Sequence, residues 1–404
     1  MLNVLNDRVL PEPPVLDVDP FSDETLADPY PFHRRMRDTA PVVFIEKYNM
    51  YGVGNYEEVR LALVDYERFT SSGGIGLADI RKPGAWRDPS PITEIDPPKH
   101  TEVRGVLSRI LSPKIIREWK VVFGQVADSV AEQAVEKGGV DAVHDIVEAF
   151  VLQAFTGVLG VDLPKNYFLD LGEMNFNQLG PNNALTQQSV EKNKPILDAY
   201  ENAFQRHSVI AGGLAEKIYE AEDAGLFAAG TGGLQVRSFL RAGVDTTIAG
   251  IGHTLNLLAQ NPDQWAKVKA DPSKVKGAFD EAIRLQSPAQ VIFRTTTGDV
   301  ELGGYRLKGD VKLANFLGAA NRDPLKFVDP DKFDVDRESA GIHLALGAGH
   351  HICIGQMIAR AEAEAILGAL VRCVDRIEPT GDPVYRLVNT LRTLRSLPVK
   401  LHAA

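Results

Sequence analysis

The sequence predicts a mainly α-helical fold with a few small sheets, organised as one domain over residues 1–404. Helical periodicity dominates the chain, strand-like runs are few and short, and no repeat, linker or low-complexity segment divides it. Hydrophobic residues make up 44% and charged residues 24%, which is ordinary for a globular protein. A chain of this length can bury a large core and hold a sizeable cofactor.

Apolar residues recur at helical spacing in several stretches. The predicted helices cover residues 29–40, 56–65, 97–111, 117–139, 234–260 and 354–374. The fourth ends at Gly138 and Gly139, a typical signal for a helix C-terminus. The stretch 234–260 would span about 40 Å, the width of a domain. Short runs rich in β-branched and aromatic residues predict strands at residues 41–45, 291–297 and 312–317.

The charge and the cysteine content exclude several classes of protein. Lys and Arg number 44 against 54 Asp and Glu, a formal charge of −10 that argues against general nucleic-acid binding. Two cysteines are too few for a disulfide scaffold or for an iron–sulfur cluster held by four thiolates. The first residues contain no long apolar run, so we expect no signal peptide, no membrane anchor and a cytoplasmic monomer.

One of the two cysteines, Cys353, lies in LGAGHHICIG, just before the last predicted helix. A thiol at a helix N-terminus feels the positive end of the helix dipole, which lowers its pKa. The neighbouring glycines let the backbone approach a flat ligand closely and leave N–H groups free for the sulfur. This arrangement suits a thiolate ligand to a metal, whereas the cysteine taken alone also fits a buried structural residue.

Zinc is a second metal to consider in this loop, because His343, His350 and His351 lie near Cys353 in the sequence. Their spacing matches no common zinc pattern. The other cysteine, Cys373, falls at core spacing on the last helix, and we assign it no chemistry.

LGAGHHICIG resembles the cysteine loop of the cytochrome P-450 monooxygenases, F-G-x-G-x-H-x-C-x-G, with Leu346 in place of the phenylalanine. The resemblance covers essentially the whole chain. It implies a multihelical fold with haem b between the long central helix and the cysteine-loop helix. It implies that Cys353 is the axial iron ligand, whose thiolate pushes electron density that favours O–O cleavage. We expect Leu346 to alter the haem potential.

Further motifs follow the same family pattern. EAIR, with Glu281 and Arg284, resembles the E-x-x-R pair, and ANRDP with DPDKFDVDR resembles the meander, in which Arg337 completes a structural triad. Taken alone, a Glu–Arg pair at this spacing is usually a solvated helix contact. HTEVR, FRTTT and the cysteine loop match the family's haem-propionate contacts, and the residues implied are His100, Arg104, Arg294 and His351.

The motif AGVDTT lies in the middle of the long predicted helix and is poor helix sequence. Threonine hydroxyls that bond the carbonyl one turn back would explain it as a tight packing site. The resemblance implies instead that Thr246 bonds back toward Ala242 and opens a groove for O2, while Asp245 relays protons as a catalytic partner. Arg241, one turn before Asp245, either holds that carboxylate or faces the surface.

A narrower resemblance, to bacterial P-450s that oxidise para-substituted benzoates, rests on SSGGIGLADIRKPGAWRDPSPI, NFNQLGPNNALTQQSVEK, VRSFLRAGVDTT and QSPAQVIFRTTT. It implies a substrate carboxylate site made by Arg87, Ser90, Arg237 and Ser238. Ser238 and Asp245, seven residues apart, share a helix face with about 10 Å between them, which fits one aromatic ring. Without a ligand role, Arg87 would be a surface loop residue and Arg237 a helix-start cation.

The same resemblance implies an apolar pocket wall with smaller or more polar residues than its relatives have. The residues implied are Ile92, Thr93, Phe176, Leu179, Ala242, Ala289 and Ile292. We expect a roomier, slightly more polar pocket that accepts acids bulkier than 4-methoxybenzoate.

The function implied is that of a haem-thiolate monooxygenase that uses O2 to O-demethylate or hydroxylate an aromatic carboxylic acid. Electrons would come from NADH through a flavin-dependent reductase and an iron–sulfur ferredoxin, and the basic residues Arg109, Lys114 and Arg117 would receive that acidic ferredoxin. The alternatives are a P-450 acting on another small hydrophobic substrate such as a terpenoid, a peroxide-using haem enzyme, and a haem-based aromatic-acid sensor. Asp245 and Thr246 argue against the peroxide-using enzyme, which replaces this pair.

Overall fold

The computed structural model describes residues 10–404; residues 1–9, part of the start in which we expect no signal peptide, lie outside the described residues. Helices dominate the fold, as predicted. The α-helices are Asp23–Ala27, Tyr30–Thr39, Tyr56–Val64, Lys99–Ile110, Pro113–Lys137, Ala149–Leu159, Lys165–Leu179, Ala184–Asn193, Leu197–Ala203, Leu214–Asp223, Gly232–Gly243, Asp245–Gln260, Pro262–Ala270, Val275–Gln286, Leu317–Ala320 and Gln356–Cys373. Shorter 3-10 turns and one π-helical stretch, Ala142–Glu148, connect them.

The strands form small sheets at the edges of the helical body. They are Val42–Ile45, Met50–Val53, Phe69–Thr70, Gly139–Asp141, Val291–Thr296, Val300–Leu302, Tyr305–Leu307, Lys312–Phe316, Val374–Pro379, Val384–Arg386, Thr393–Ser396 and Pro398–Ala403. The largest sheet has five strands; Met50–Val53 and Lys312–Phe316 pair in parallel, and its other neighbours pair antiparallel.

Local sequence explains where the longest helix starts and stops. Pro113 occupies its first turn, where a missing N–H costs nothing because that group has no partner within the helix. Gly138 closes the other end with a φ of 70°, and its N–H donates to the carbonyls of Ala134 and Val135. The predicted end at Gly138 is therefore confirmed.

The long helix predicted over residues 234–260 is divided in the structure. One helix ends at Gly243 and the next begins at Asp245, with Val244 between them at φ −84° and ψ −67°. Gly243 lies against the ring of Phe155, which is 2.3 Å from where a Cβ would stand. The break therefore falls within AGVDTT, next to both predicted catalytic residues.

The helix Asp245–Gln260, called the central helix below, runs through the main apolar core. Every residue from 247 to 259 is buried, which is the pattern of a helix covered on all sides. Its polar side chains find partners there, as His253 Nε2 lies 3.0 Å from the Arg392 carbonyl and the Thr254 hydroxyl donates to the Gly250 carbonyl. Burying each large apolar side chain in such a core contributes about 1.5–3 kcal/mol.

One stretch, Ala142–Leu159, is long and apolar enough to cross a membrane by length and composition alone. It packs against the helix Pro113–Lys137 and the central helix, and 61% of it is buried inside the molecule. Core helices of this kind pass the same test.

Candidate active site

The cysteine loop holds its sulfur in a fixed turn. The Cys353 N–H donates to the Leu346 carbonyl at 2.8 Å, and Leu346 itself packs against the main core. Gly347 and Gly349 have φ values of 73° and 67°, which only glycine adopts without strain. A Cβ on Gly349 would also lie 2.9 Å from the backbone of Val64, so this glycine lets the loop pack on the helix Tyr56–Val64.

The groups around Cys353 shift the pKa of its thiol in opposite directions. Burial outweighs the other influences and raises the pKa of Cys353, contrary to the lowered pKa expected from its place before a helix, although the backbone N–H groups of Gly355 and Gln356 and the charge of Arg104 act to lower it. These groups stabilise a negative sulfur, which is the form that binds a metal. Among residues 10–404, no group of three or more His, Cys, Asp or Glu side chains is arranged to hold a metal ion, which disfavours the zinc alternative.

The predicted triad forms one closed network behind the cysteine loop. Arg284 donates to both carboxylate oxygens of Glu281, at 2.7 and 2.9 Å, and Arg337 donates to Glu281 at 2.8 Å. The remaining donors of Arg284 go to the carbonyls of Asn321, Pro330 and Lys332. Arg284 and Glu281 are wholly buried, so this network is far from the solvated pair that the motif alone would suggest.

The four residues predicted to hold haem propionates include buried donors that lack acceptors. The rings of His100 and His351 lie 4.1 Å apart, and neither ring nitrogen of His100 has a hydrogen-bond partner within residues 10–404. Arg294 is 2% exposed, and within the same residues its guanidinium donates only to the carbonyl of its neighbour Phe293, at 2.9 Å. Burial lowers the pKa of Arg294 to about 10 and that of His100 to about 4.

Such groups are costly unless an anion completes them. The half-buried Arg104 lies close enough to Cys353 for the two charges to influence each other. Buried donors beside a cysteine sulfur are what a haem with two negative propionates requires, so the residues present fit that group.

Asp96 is a member of this region that sequence reasoning missed. Its carboxylate accepts from Ser71 N–H at 3.0 Å and from the hydroxyls of Ser72 and Thr70, and it lies 4.0 Å from His351. These donors and His351 lower the pKa of Asp96 despite its burial. Its position four residues before His100 in D-P-P-K-H was the available signal, since residues four apart meet on a helix start.

The acid and the alcohol of AGVDTT lie at the start of the central helix. The Thr246 hydroxyl donates to the Ala242 carbonyl at 2.8 Å, as predicted, and Ala242, the second-last residue of the helix Gly232–Gly243, is exposed. Asp245 is 4% exposed, and burial raises its pKa to about 7. Gly172 makes room for its carboxylate, because a Cβ there would stand 1.4 Å from Asp245 Oδ2.

The charges of Arg386, Glu173 and Glu148 shift the pKa of Asp245, and Arg241 is not among the main influences on it. Arg386 lowers its pKa, while Glu173 and Glu148 raise it. Arg386 lies 3.5 Å from Glu173 and 3.8 Å from Glu148. Arg241 instead donates to the Tyr200 hydroxyl at 2.8 Å, so both expectations for this arginine, a pair with Asp245 and a surface position, are wrong.

The predicted carboxylate residues come together, with one unexpected partner. The hydroxyls of Ser90 and Ser238 lie 3.3 Å apart and join the W-R-x-P-S loop to the helix Gly232–Gly243. Arg87 donates to the carboxylate of Glu94, and the two side chains are only 5% and 0% exposed. Arg87 is therefore no surface loop residue, and its charge is already paired.

Arg237 is also buried, but its charge is less well compensated. Its side chain is 8% exposed, donates to the Pro89 carbonyl at 3.2 Å and lies 3.6 Å from Asp88, whose side chain is 69% exposed. Burial lowers its pKa. Of the two arginines in this cluster, Arg237 has the weaker carboxylate partner.

The predicted pocket wall is only partly gathered in one place. Phe176 and Leu179 pack with Ala249, Val388 and Leu391 in a small apolar cluster beside the central helix. Val388 and Leu391 were missed, since nothing in the sequence brings a C-terminal loop to a helix some two hundred residues earlier. The other predicted wall residues lie in or beside different clusters or are half-buried: Ile92, Thr93, Ala289 and Ile292.

Comparison with known proteins decides the family. Cytochrome p450 CYP199A2 of Rhodopseudomonas palustris is 42% identical over 393 residues, which cover 97% of this chain and 95% of that protein. This chain belongs to the cytochrome P450 family. The family model described as Cytochrome P450 matches residues 274–383, the span that contains the triad and the cysteine loop. The chain is thus a cytochrome P450 monooxygenase, a haem iron enzyme.

More distant relatives share the architecture. The beta-dihydromenaquinone-9 omega-hydroxylase of Mycobacterium tuberculosis is 29% identical, with 95% of this chain and 78% of that protein covered. The cytochrome P450 CYP109Q5 of Chondromyces apiculatus superposes with a TM-score of 0.80 at 26% identity, covering 96% of this chain and 98% of that one. CYP109E1 of Bacillus megaterium, solved with testosterone, gives a TM-score of 0.81 at 22% identity and so bears on the fold alone.

Proposed function

We propose that this P450 oxidises a para-substituted aromatic carboxylic acid of the benzoate or cinnamate type, by O-demethylation or hydroxylation. The observation that carries the proposal is the meeting of Ser90 and Ser238, whose hydroxyl oxygens are 3.3 Å apart. The Ser238 hydroxyl donates to the Leu234 carbonyl at 3.0 Å, so it would turn its proton away from that carbonyl for both hydroxyls to donate to one carboxylate. Ser238 lies on the helix that ends at Gly243 and Asp245 begins the next helix, so an acid held at Ser238 would extend its ring toward Asp245.

Separate residues would hold the haem. Cys353 would ligate the iron, and His100, Arg104, Arg294 and His351 would bind the propionates, which would supply acceptors for His100 and Arg294. When bound, thiolate-ligated haem supplies the activation of O2 and the transfer of one oxygen atom.

Asp245 and Thr246 handle protons on the distal side. With a pKa raised to about 7, Asp245 takes up and releases a proton near neutral pH, where an ordinary aspartate would stay ionised. Thr246 gives its own proton to the Ala242 carbonyl, so its oxygen is left as an acceptor that would hold a water molecule.

The electrons come from NADH through a flavin reductase and an iron–sulfur ferredoxin. Arg109, Lys114 and Arg117 are exposed at the end of one helix and the start of the next, in an otherwise acidic chain. A basic patch of this kind steers an acidic partner to the side of the molecule that carries the cysteine loop. We infer a cytoplasmic monomer that meets these carriers in solution.

Product analysis tests the substrate class. Haem-loaded protein with NADH, a bacterial ferredoxin and its reductase should convert 4-methoxybenzoate to 4-hydroxybenzoate and formaldehyde. One oxygen atom of O2 enters the methyl group and the other leaves as water, with both electrons taken from NADH. The neutral 4-methoxybenzamide should react poorly, because its uncharged head group gains less from serine donors and nearby guanidinium groups.

Serine variants provide the matched control. Ser238→Ala and Ser90→Ala should each weaken acid binding by about tenfold, as expected for one hydrogen bond to a charged group. Ser108→Ala, an exposed serine on the helix Lys99–Ile110, should change nothing. Equal turnover of acid and amide, or no product from any para-substituted benzoate or cinnamate, would contradict the proposal.

A further inference from the structure

Glu94 is a buried carboxylate in the middle of the proposed substrate cluster, and no prediction from sequence gave it a role. It is 4% exposed and accepts three hydrogen bonds, from the Arg87 guanidinium, from Ser90 N–H at 2.7 Å and from Ile75 N–H at 2.9 Å. The same carboxylate therefore neutralises the predicted anion-binding arginine and fixes the backbone of the predicted anion-binding serine.

A substrate carboxylate at Ser90 and Ser238 would be a second anion near the same guanidinium. Ser90 N–H donates to Glu94, while the Ser90 hydroxyl lies 3.3 Å from that of Ser238, so Glu94 and a bound substrate carboxylate would both contact Ser90. Like charges at such separation repel strongly in a buried site, where water screens them little. Arg87 attracts the substrate, and Glu94 offsets much of that attraction.

We propose that Glu94 sets the net charge of the carboxylate subsite and so limits how strongly this P450 prefers acids over neutral analogues. The proposal rests on the proposed function, because it assumes that the acid binds at Ser90 and Ser238. Glu94 acts through Arg87 and through the local field, as a specificity-determining residue that holds the arginine in place. When no substrate is bound, Glu94 stabilises Arg87, because a buried guanidinium without a carboxylate partner is costly.

The charge of the Arg87–Glu94 pair can be changed stepwise with neutral glutamine variants. Glu94→Gln gives the pair a net positive charge, the parent and the double variant Arg87→Gln/Glu94→Gln give zero, and Arg87→Gln gives a net negative charge. If Glu94 sets the subsite charge, acid-over-amide preference follows this order. Glu94→Gln should raise the preference about tenfold (about 1.4 kcal/mol), and Arg87→Gln should lower it by a similar factor.

The measurement is the dissociation constant of 4-methoxybenzoate and of 4-methoxybenzamide, determined by calorimetry on haem-loaded protein at about pH 7.5, where the acid is ionised. Taking the ratio removes effects that the two ligands share. The amide introduced by Glu94→Gln cannot accept from both backbone N–H groups, but any loosening of Ser90 would weaken the acid more than the amide and so lower the ratio, opposite to the expected rise. The double variant leaves no unpaired buried charge, and because its net charge equals that of the parent, its preference should match the parent's and exceed that of Arg87→Gln.

The outcomes separate the two proposals. If the parent binds acid and amide equally, the proposed function is overturned. If the parent prefers the acid but Glu94→Gln leaves the ratio unchanged or lowers it, the proposed function stands and the role of Glu94 is overturned. Should Glu94→Gln not retain haem, the double variant decides: a preference as low as that of Arg87→Gln means that Arg87 alone reads the acid and that Glu94 sets no charge.

Discussion

Two buried arginines, Arg284 and Arg294, differ in how many of their hydrogen-bond donors find acceptors within the protein. Arg284 is fully inaccessible, and its donors reach the carboxylate of Glu281 and three backbone carbonyls. Arg294 is almost as deeply buried, yet within residues 10–404 its guanidinium donates only to the adjacent carbonyl of Phe293. Burial lowers the pKa of Arg294 to about 10, and the charge of Asp96 offsets only part of that effect.

The difference separates a structural site from a ligand site. A buried charged group whose hydrogen-bond partners all come from the protein contributes to a unique fold. A buried charged group that lacks such partners costs stability until a ligand supplies them. Arg284 belongs to the first kind and Arg294, with His100 beside His351, to the second. We propose that these donors, which lack partners within residues 10–404, bind the propionates of the haem.

The largest loss of stability is expected when the network of Glu281, Arg284 and Arg337 is broken. Glu281→Gln removes the charge that both Arg284 and Arg337 contact, so two buried guanidinium groups lose their carboxylate at once. Breaking a buried pair of this kind costs about 3–5 kcal/mol. Chemical unfolding of the variant should show this loss even in protein without haem.

A matched exposed pair controls for the substitution. Glu57 and Arg60 have the same three-residue spacing, but their side chains are 59% and 50% exposed. Glu57→Gln should cost less than about 1 kcal/mol, since surface pairs contribute little. Similar losses in the two variants would show that burial of the triad does not matter, and the contrast with Arg294 would lose its basis.

A pH-dependent effect is expected from Asp245, a buried acid whose pKa is raised to about 7 from an ordinary 3.8. Between these values the folded protein holds a proton that the unfolded chain has lost, so rising pH destabilises the fold until the acid ionises. Asp245→Asn stays neutral and escapes this penalty. From about pH 5 to pH 8 the variant should gain about 2–3 kcal/mol relative to the parent.

Unfolding curves of the two proteins at several pH values measure this difference. Asp382→Asn makes the same substitution at an exposed position and should follow the parent at every pH. A stability difference that stays constant across the range would mean that Asp245 is ionised in the folded protein, which is incompatible with its proposed use as a proton donor near neutral pH.

The sequence predicted what local patterns determine. The fold class, a helix predicted over 117–139 and found at Pro113–Lys137 with its glycine end, and the back-bonding of Thr246 follow from periodicity, capping and a family motif. Partner choice across the fold did not follow: Arg241 bonds Tyr200, forty-one positions earlier, and not Asp245 one turn away. The sequence shows how far a long side chain can reach. It does not show which of the possible partners tertiary packing brings within that reach.

The same limit applies to the substrate cluster. Arg87, Ser90 and Ser238 were found because a motif names them, whereas Glu94 was missed although it lies only four residues after Ser90. An acid near an arginine in a loop has many possible geometries, and only the fold selects one. The break at Val244 was missed for a similar reason, since poor helix sequence lowers stability without fixing where a helix divides.

The smallest effect on the stability of the haem-free protein is expected from Arg294→Gln, which should instead act specifically on haem binding. In haem-free protein the change removes a buried charge that has no hydrogen-bonded carboxylate among the described residues, so the free energy of unfolding should stay the same or rise slightly. In haem-loaded protein it removes a charged donor to a propionate, worth about 1.5–3 kcal/mol, so haem should dissociate about ten- to a hundredfold faster. Arg395→Gln, on an exposed strand position, should change neither quantity.

Haem transfer to an excess of a haem-scavenging protein measures the rate of haem dissociation, and chemical unfolding of the haem-free protein measures the stability. A haem-free variant that loses several kcal/mol while its haem dissociates at the parent's rate would place Arg294 with Arg284 among the structural arginines.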